Sequence, residues 1–247
     1  MAEIFFDKYE RKGAYHWTET TGSVHRLNAY TLGRYEQVLA ALGRIPPDAA
    51  ILDVGCGDGA LAGAIAARLG CVVEGVDVDE LPITLARNEF EKRGLRGRFQ
   101  VISGYRYPFT DGAFAAVVSS DVIEHVQKPQ EMLLEMWRVL APGGKLIVTT
   151  PIRYTETPLD RMHVNEWFAG EFKTLCEQAL GVNVEIRRSH PVALAELYGS
   201  SSPILGRIAR FSMNVLAKLG FNPFLRTKGF RAASAQTMIA MKPASLD

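Results

Sequence analysis

In the stretch VVSSDVIEHV, residues 117–126, an apolar run stops at two serines, and Asp121, Glu124 and His125 follow within five positions. If the chain turns helical there, spacings of three and four put all three on one face. Two carboxylates and an imidazole can take a proton from a hydroxyl, because histidine titrates near neutrality. They can equally hold a divalent cation of the magnesium, manganese or zinc type, which lowers the pKa of a bound hydroxyl. A second group with the same chemistry follows in RMHVNEWF, residues 161–168, where His163 and Glu166 start a predicted helix. A purely structural reading stands beside both: acids stabilise helix N-termini, and histidine with tryptophan packs well.

The stretch LDVGCGDGAL, residues 52–61, carries a different chemistry. Gly55, Gly57 and Gly59 permit a tight turn and a close approach of ligand to backbone. Their alternate spacing departs from the G-x-G-x-x-G pattern of dinucleotide folds. Asp53 precedes the glycines and Asp58 lies among them. Acids at this place repel a pyrophosphate but suit a cationic, amine-bearing ligand such as S-adenosylmethionine (SAM). Asp77, in VEGVDVDE, ends the next apolar run, where a carboxylate can accept from both ribose hydroxyls. An ordinary strand–helix turn is the bland alternative, and the acid at the end of the second run weighs against it.

These residues need elements to position them. AAILDVGC, CVVEGVD, RFQVISG, FAAVVSS and KLIVTTP read as strands, separated by helical stretches in GALAGAIAARLG, ELPITLARNEFEKRG and PQEMLLEMWRVLAPGG. Strands apolar on both faces and alternating with helices predict a parallel sheet wrapped by helices. Such sheets bind ligands at the carboxyl ends of their strands, where both candidate groups fall. The 247 residues, 47% of them hydrophobic, suffice for one large core. A net charge of +1 gives no general case for nucleic acid. Cys56, Cys71 and Cys176 lack disulfide-framework or zinc-knuckle spacing. With neither a signal-peptide core nor a membrane-length apolar run, a cytoplasmic protein is expected.

Taken together, ILDVGCGDG, GVDVDE, YPFTDGAF, DVIEHV and RVLAPGGKLIVTTP resemble the class I SAM-dependent methyltransferases, in order and separation, over about residues 35–180. The resemblance implies an α/β, Rossmann-like, seven-stranded and mostly parallel sheet. Its last strand, AQTMIAMK, should insert antiparallel beside VNVEIRRS. It also implies that Asp53, Gly55 and Gly57 contact the methionine part of SAM and that Asp77, assisted by Asp79, holds the ribose. Ser120 is placed on the cofactor side as well. Where the family often has an acid after the third strand, this chain has Ser103, so backbone groups around Ser103 and Gly104 are expected at the adenine. Ala115 replaces another usual acid. The group after strand four resembles those of ubiquinone-biosynthesis O-methyltransferases and small-RNA 2′-O-methyltransferases. That likeness makes Glu124, His125 and His163 candidate metal ligands, with Asp121 a weaker one. The same Glu124, His125 and His163 are the catalytic candidates if no metal is used.

The expected organisation is a single methyltransferase domain over 1–247. An N-terminal lid spans 1–34, a SAM-binding core 35–190, a helical insertion 191–233, and the last strand and tail 234–247. Tyr9, Tyr15, His16 and Trp17 in the lid either cover SAM or form an aromatic cluster. Leu27, Tyr35, Val38, Leu39 and Leu42 share a helical stripe, read as core packing alone. In the insertion, Ile204, Ile208, Phe211, Val215 and Leu219 recur at helical spacing beside Arg207, Arg210, Lys218, Arg226, Lys228 and Arg231, and no acid occurs between Glu196 and Asp247. Such a helix lies on a membrane surface, closes over an anionic acceptor, or packs on the sheet or a subunit interface. The expected activity is methyl transfer to a hydroxyl of a small molecule or a glycan or lipid-linked precursor. A quinone-type phenol, an RNA 2′-hydroxyl (disfavoured by the lack of a basic groove) and a non-catalytic SAM-binding subunit are the alternatives.

Overall fold

The computed structural model describes residues 7–46, 48–157 and 160–244. Seven strands form one sheet: β1 (Ala50–Val54), β2 (Val72–Asp77), β3 (Gly97–Val101), β4 (Phe114–Ser120), β5 (Leu140–Pro151), β6 (Glu185–Pro191) and β7 (Ala233–Met241). Their order is β3-β2-β1-β4-β5-β7-β6. The first five run parallel, and β7 enters antiparallel between β5 and β6. The antiparallel last strand was therefore readable from the resemblance. The chain order reverses between β1 and β4, so their carboxyl ends flank the switch point where such sheets take ligands.

Alternation along each strand builds two cores. Ile51, Val118 and Ile147 face one side, which is covered by α3 (Ala29–Leu42), α4 (Ala60–Leu69) and α5 (Glu80–Arg93). Leu52, Val117 and Val148 face the other, under α6 (Pro129–Val139) and α7 (Glu171–Leu180). Burial of each large apolar side chain contributes about 1.5–3 kcal/mol. Helix limits follow local chemistry. Asn28 caps α3 by accepting from the N–H groups of Tyr30 and Thr31. Gly70 closes α4 in the left-handed conformation, as the glycine at that place predicts.

Outside the sheet, α1 (Lys8–Lys12) and α2 (Tyr15–Thr21) precede α3, and α8 (Val192–Tyr198) and α9 (Leu205–Lys218) occupy the insertion between β6 and β7. The insertion is tied to the start of α3 by polar groups. Asn214 of α9 accepts from Ala29 N–H at 3.0 Å and donates to the carbonyls of Val24 and Leu27, at 3.0 and 2.5 Å. Asn222 donates to Ala29 O and to Glu36. Of the apolar stripe, Ile204, Ile208, Phe211 and Leu219 are exposed and Val215 is half-buried, while α9 seats Ala209, Met213 and Ala217 against the fold. Small residues let the helix backbones approach, which leaves the larger side chains on the outside. Of the expected tail, residues 245–247 lie outside the described residues.

Candidate active site

The glycine turn after β1 is held from below. Gly55 and Cys56 N–H groups donate to Val76 O at 2.8 and 3.0 Å, and Gly57 N–H donates to Asp77 Oδ2 at 2.9 Å. Gly55, Gly57 and Gly59 all have positive φ. A Cβ on Gly55 would lie 2.4 Å from Val122, and one on Gly57 would lie 2.2 Å from the Tyr9 hydroxyl. The turn thus tolerates no side chain on either glycine. Asp53 is buried and its Oδ2 has no partner among the described residues. Burial, with Asp77 nearby, pushes its carboxyl up to about 8. Such an orphaned acid at a cavity wall fits a cationic ligand group, which would restore its charge.

Asp53, Gly55, Gly57, Asp77, Asp79 and Ser120 all border one cavity of about 930 Å³. Gly104 borders it too, but Ser103 is exposed and does not. At the end of β3 the chain alternates, so Ile102 faces inward and donates its N–H to Asp77 O at 2.8 Å, which turns Ser103 away. Asp58 is also absent from the cavity wall. Its Oδ2 accepts from His16 N–H at 3.0 Å, and its carbonyl accepts from the Trp17 indole at 2.7 Å. This acid anchors α2 rather than a ligand. The aromatic segment splits accordingly: Tyr9, Tyr15 and His16 border the cavity, whereas Trp17 is buried against Gly63 and Phe90.

At the far end of the cavity the residues after β4 form no α-helix. Asp121 takes a left-handed backbone, φ 57°, and only Ile123–His125 make a 3₁₀ turn. Aspartate tolerates that region better than most residues. The one-face expectation therefore fails for Asp121. Its carboxylate pairs with Arg34 of α3 and accepts from Thr149 Oγ1 at 3.4 Å. Glu124 is buried and accepts from Thr150 Oγ1 at 3.1 Å. Burial first, and Asp121 second, raise it well above the carboxylate range. Partial desolvation lowers the pKa of the His125 imidazole although the side chain stays exposed, which favours the neutral ring.

His163 and Glu166 do not start a helix; α7 begins at Glu171. They lie in a loop that docks on the 3₁₀ turn. Val164 and Asn165 N–H groups donate to Glu124 O at 2.8 and 2.9 Å, and the Asn165 amide donates to Val126 O at 2.7 Å. This docking brings the rings of His125 and His163 to 4.9 Å. One ligand atom from each of Glu124, His125 and His163 lies within 4.8 Å of the other two. His125 Nδ1 bonds Met162 O at 3.1 Å and His163 Nδ1 bonds Glu166 Oε1 at 2.6 Å. A carbonyl only accepts, so His125 Nδ1 carries the proton and its Nε2 keeps a lone pair.

The sequence reading did not foresee Arg34 and Tyr30. It assigned α3 to the core alone, yet both side chains border the cavity, with the Arg34 guanidinium 4.7 Å from the Tyr30 ring centre. Arg34, next to Tyr35 and one turn before Val38, puts a cation at the border of the apolar stripe, and that was the available signal.

The fold and the glycine–aspartate cradle define a class I methyltransferase architecture. A family profile described as "Methyltransferase domain" matches residues 52–148. A protein of Mycolicibacterium smegmatis named "Probable S-adenosylmethionine-dependent methyltransferase" is 34% identical over 176 residues, covering 68% of this chain and 66% of that protein. A ubiquinone biosynthesis O-methyltransferase of Nitrosococcus oceani is 37% identical over 101 residues, covering 40% and 42%. Other relatives are named as sterol C-methyltransferases, and for one from Oryza sativa the match covers 36% of its length. The solved structure of Haemonchus contortus phosphoethanolamine N-methyltransferase 2 with SAM shares the fold, with TM-score 0.67 and 20% identity over 98% of this chain and 61% of that one. The chain belongs to the class I SAM-dependent methyltransferases. It spans about a third to two thirds of the length of these curated relatives.

Proposed function

We propose that the chain transfers the methyl group of SAM to a hydroxyl of a small molecule or a glycan or lipid-linked precursor. The trio of Glu124, His125 and His163, closing the cavity that begins at the glycine cradle, carries this reading. Asp53 faces the donor's ammonium, Gly55 and Gly57 its methionine backbone, and Asp77 its ribose hydroxyls. An oxygen lone pair attacks the methyl carbon, the carbon–sulfur bond breaks, and its electrons neutralise the sulfonium. The hydroxyl proton must leave, and a neutral His125 with a free Nε2 can accept it. An ammonium acceptor would also need such a base, so the support for oxygen is the trio's second fit, to a cation that would hold and acidify a hydroxyl. Relatives with a ubiquinone O-methyltransferase name favour a quinone-type phenol as the second reading.

The same trio fits a divalent cation. Both histidines have Nδ1 engaged, by Met162 O and Glu166, the arrangement that orients imidazole ligands through their other nitrogen. When bound, such an ion lowers the hydroxyl's pKa. Incubation with SAM and a panel of hydroxyl acceptors should release S-adenosylhomocysteine and a methyl ether. Chelation that abolishes turnover, restored by magnesium, manganese or zinc, assigns the trio to a metal. Insensitivity to chelator, with a loss of about 10²–10⁴ in His125→Ala, assigns it to a base. Full turnover in all three alanine variants would overturn the proposal.

A further inference from the structure

Helix α9 presents to solvent a stripe that globular packing leaves uncovered. Ile204 is 74% exposed, Ile208 60%, Phe211 47% and Leu219 76%, and Phe221 beyond the helix end is 47% exposed. Arg207, Arg210, Lys218 and Arg226 are exposed beside the stripe, and no acid occurs from residue 197 to 246. The Arg226 guanidinium lies 4.5 Å from the Phe221 ring centre. None of these basic residues borders the cavity, whose acceptor end carries Asp121, Glu124, Asp160 and Glu196 against Arg34. The insertion's exposed basic residues therefore take no part in lining the reacting centre.

We propose that this outward face of α9 is a docking surface for an anionic lipid bilayer. Apolar side chains flanked by arginine and lysine match an interface of acyl chains below phosphates. A second copy of the chain is a poorer partner, since a two-fold contact sets each basic flank against its own kind. A nucleic acid offers phosphates but leaves the isoleucines and Phe211 wet. Asn214 ties the helix to the start of α3, so the face is already formed in the folded chain. Docking places α8, whose Ala195 and Glu196 border the cavity, next to the membrane.

The test is flotation of the full chain with vesicles of phosphatidylcholine alone or with about one third phosphatidylglycerol. The expected result is association with the anionic vesicles, weakened at about 1 M salt, where screening is strong. Ile208→Glu with Phe211→Glu, and separately Arg207→Glu with Arg226→Glu, should each lower it about tenfold or more. Both pairs are surface positions, so melting temperature and SAM affinity should hold, which separates failure of docking from failure of the methyltransferase reading. Should either pair fail to fold, Phe211→Trp gives a second readout, an emission shift to the blue on anionic vesicles. No association of the wild type, equal association of both variants, or a solution dimer lost in the Ile208 and Phe211 variant would each overturn the proposal.

Discussion

Asp53 and Asp77 are both carboxylates at strand ends, yet their surroundings divide their tasks. Asp77 already accepts from the N–H groups of Gly57 and Asp79, at 2.9 and 3.2 Å, so it is a part of the cradle as well as the ligand acceptor we propose. Asp77→Ala should weaken SAM binding by about 2–3 kcal/mol, read by calorimetry; unchanged affinity would remove it from the site. Asp53 is different, because burial raises its folded-state carboxyl to about 8 from near 4 when unfolded. The folded, ligand-free protein then holds one more proton than the unfolded chain between those values. This contribution to stability is full below pH 4 and is lost as pH rises through about 8. An ammonium favours the charged acid, so SAM affinity should climb from pH 6 to 8. Calorimetry in buffers of different ionisation heat should show proton release, and Asp53→Asn should flatten both trends. No proton release in the wild type would show that the ammonium binds elsewhere.

Elements were more legible in the sequence than their contacts. The strands and helices of the core follow from apolar runs, glycine stops and Pro82 in the first turn of α5. The cavity-facing pairs do not, because spacing fixes a face only once the backbone is known. One left-handed residue, Asp121, removed it from the face of Glu124 and His125. For α9 the period holds but leaves open the surface it meets, since periodicity marks a stripe without saying what covers it. Asp58 shows the same limit, as an acid beside a ligand-binding turn can serve a neighbouring helix. Two element contacts can be tested. A Cβ at Gly63 would lie 2.0 Å from the Trp17 ring. Gly63→Ala should displace α2 and weaken SAM binding at least several-fold while the sheet survives; unchanged binding would detach α2 from the site. Asn214→Ala leaves Ala29 N–H and the Val24 and Leu27 carbonyls without this partner, and should cost about 2–4 kcal/mol in denaturant unfolding. A loss below about 1 kcal/mol would show that water replaces it.

Across the whole molecule, the cavity has a floor in the sheet and walls drawn from distant parts of the chain. The floor is the carboxyl edge of the sheet, and the walls include α2, α3, α8 and the loop after β5. SAM should therefore slow hydrogen exchange in residues 8–21 while β5 and β7 change little, because their ladder is complete without ligand. Equal slowing throughout would indicate global stabilisation alone. At a hundred times its dissociation constant, SAM should stabilise the fold by about 2.7 kcal/mol.

The position of β7 has a consequence for biosynthesis. A ribosome delivers β5 and β6 well before the strand that separates them, so the emerging polypeptide carries two unsatisfied strand borders while α8 and α9 are being made. Direct pairing of β5 with β6 would trap the nascent chain in a misthreaded sheet. The seven-residue length of β6, and its run of Arg187 and Arg188, discourage that premature match. A stop codon at position 233 should therefore yield inclusion bodies and dependence on chaperones, rather than a weakened enzyme.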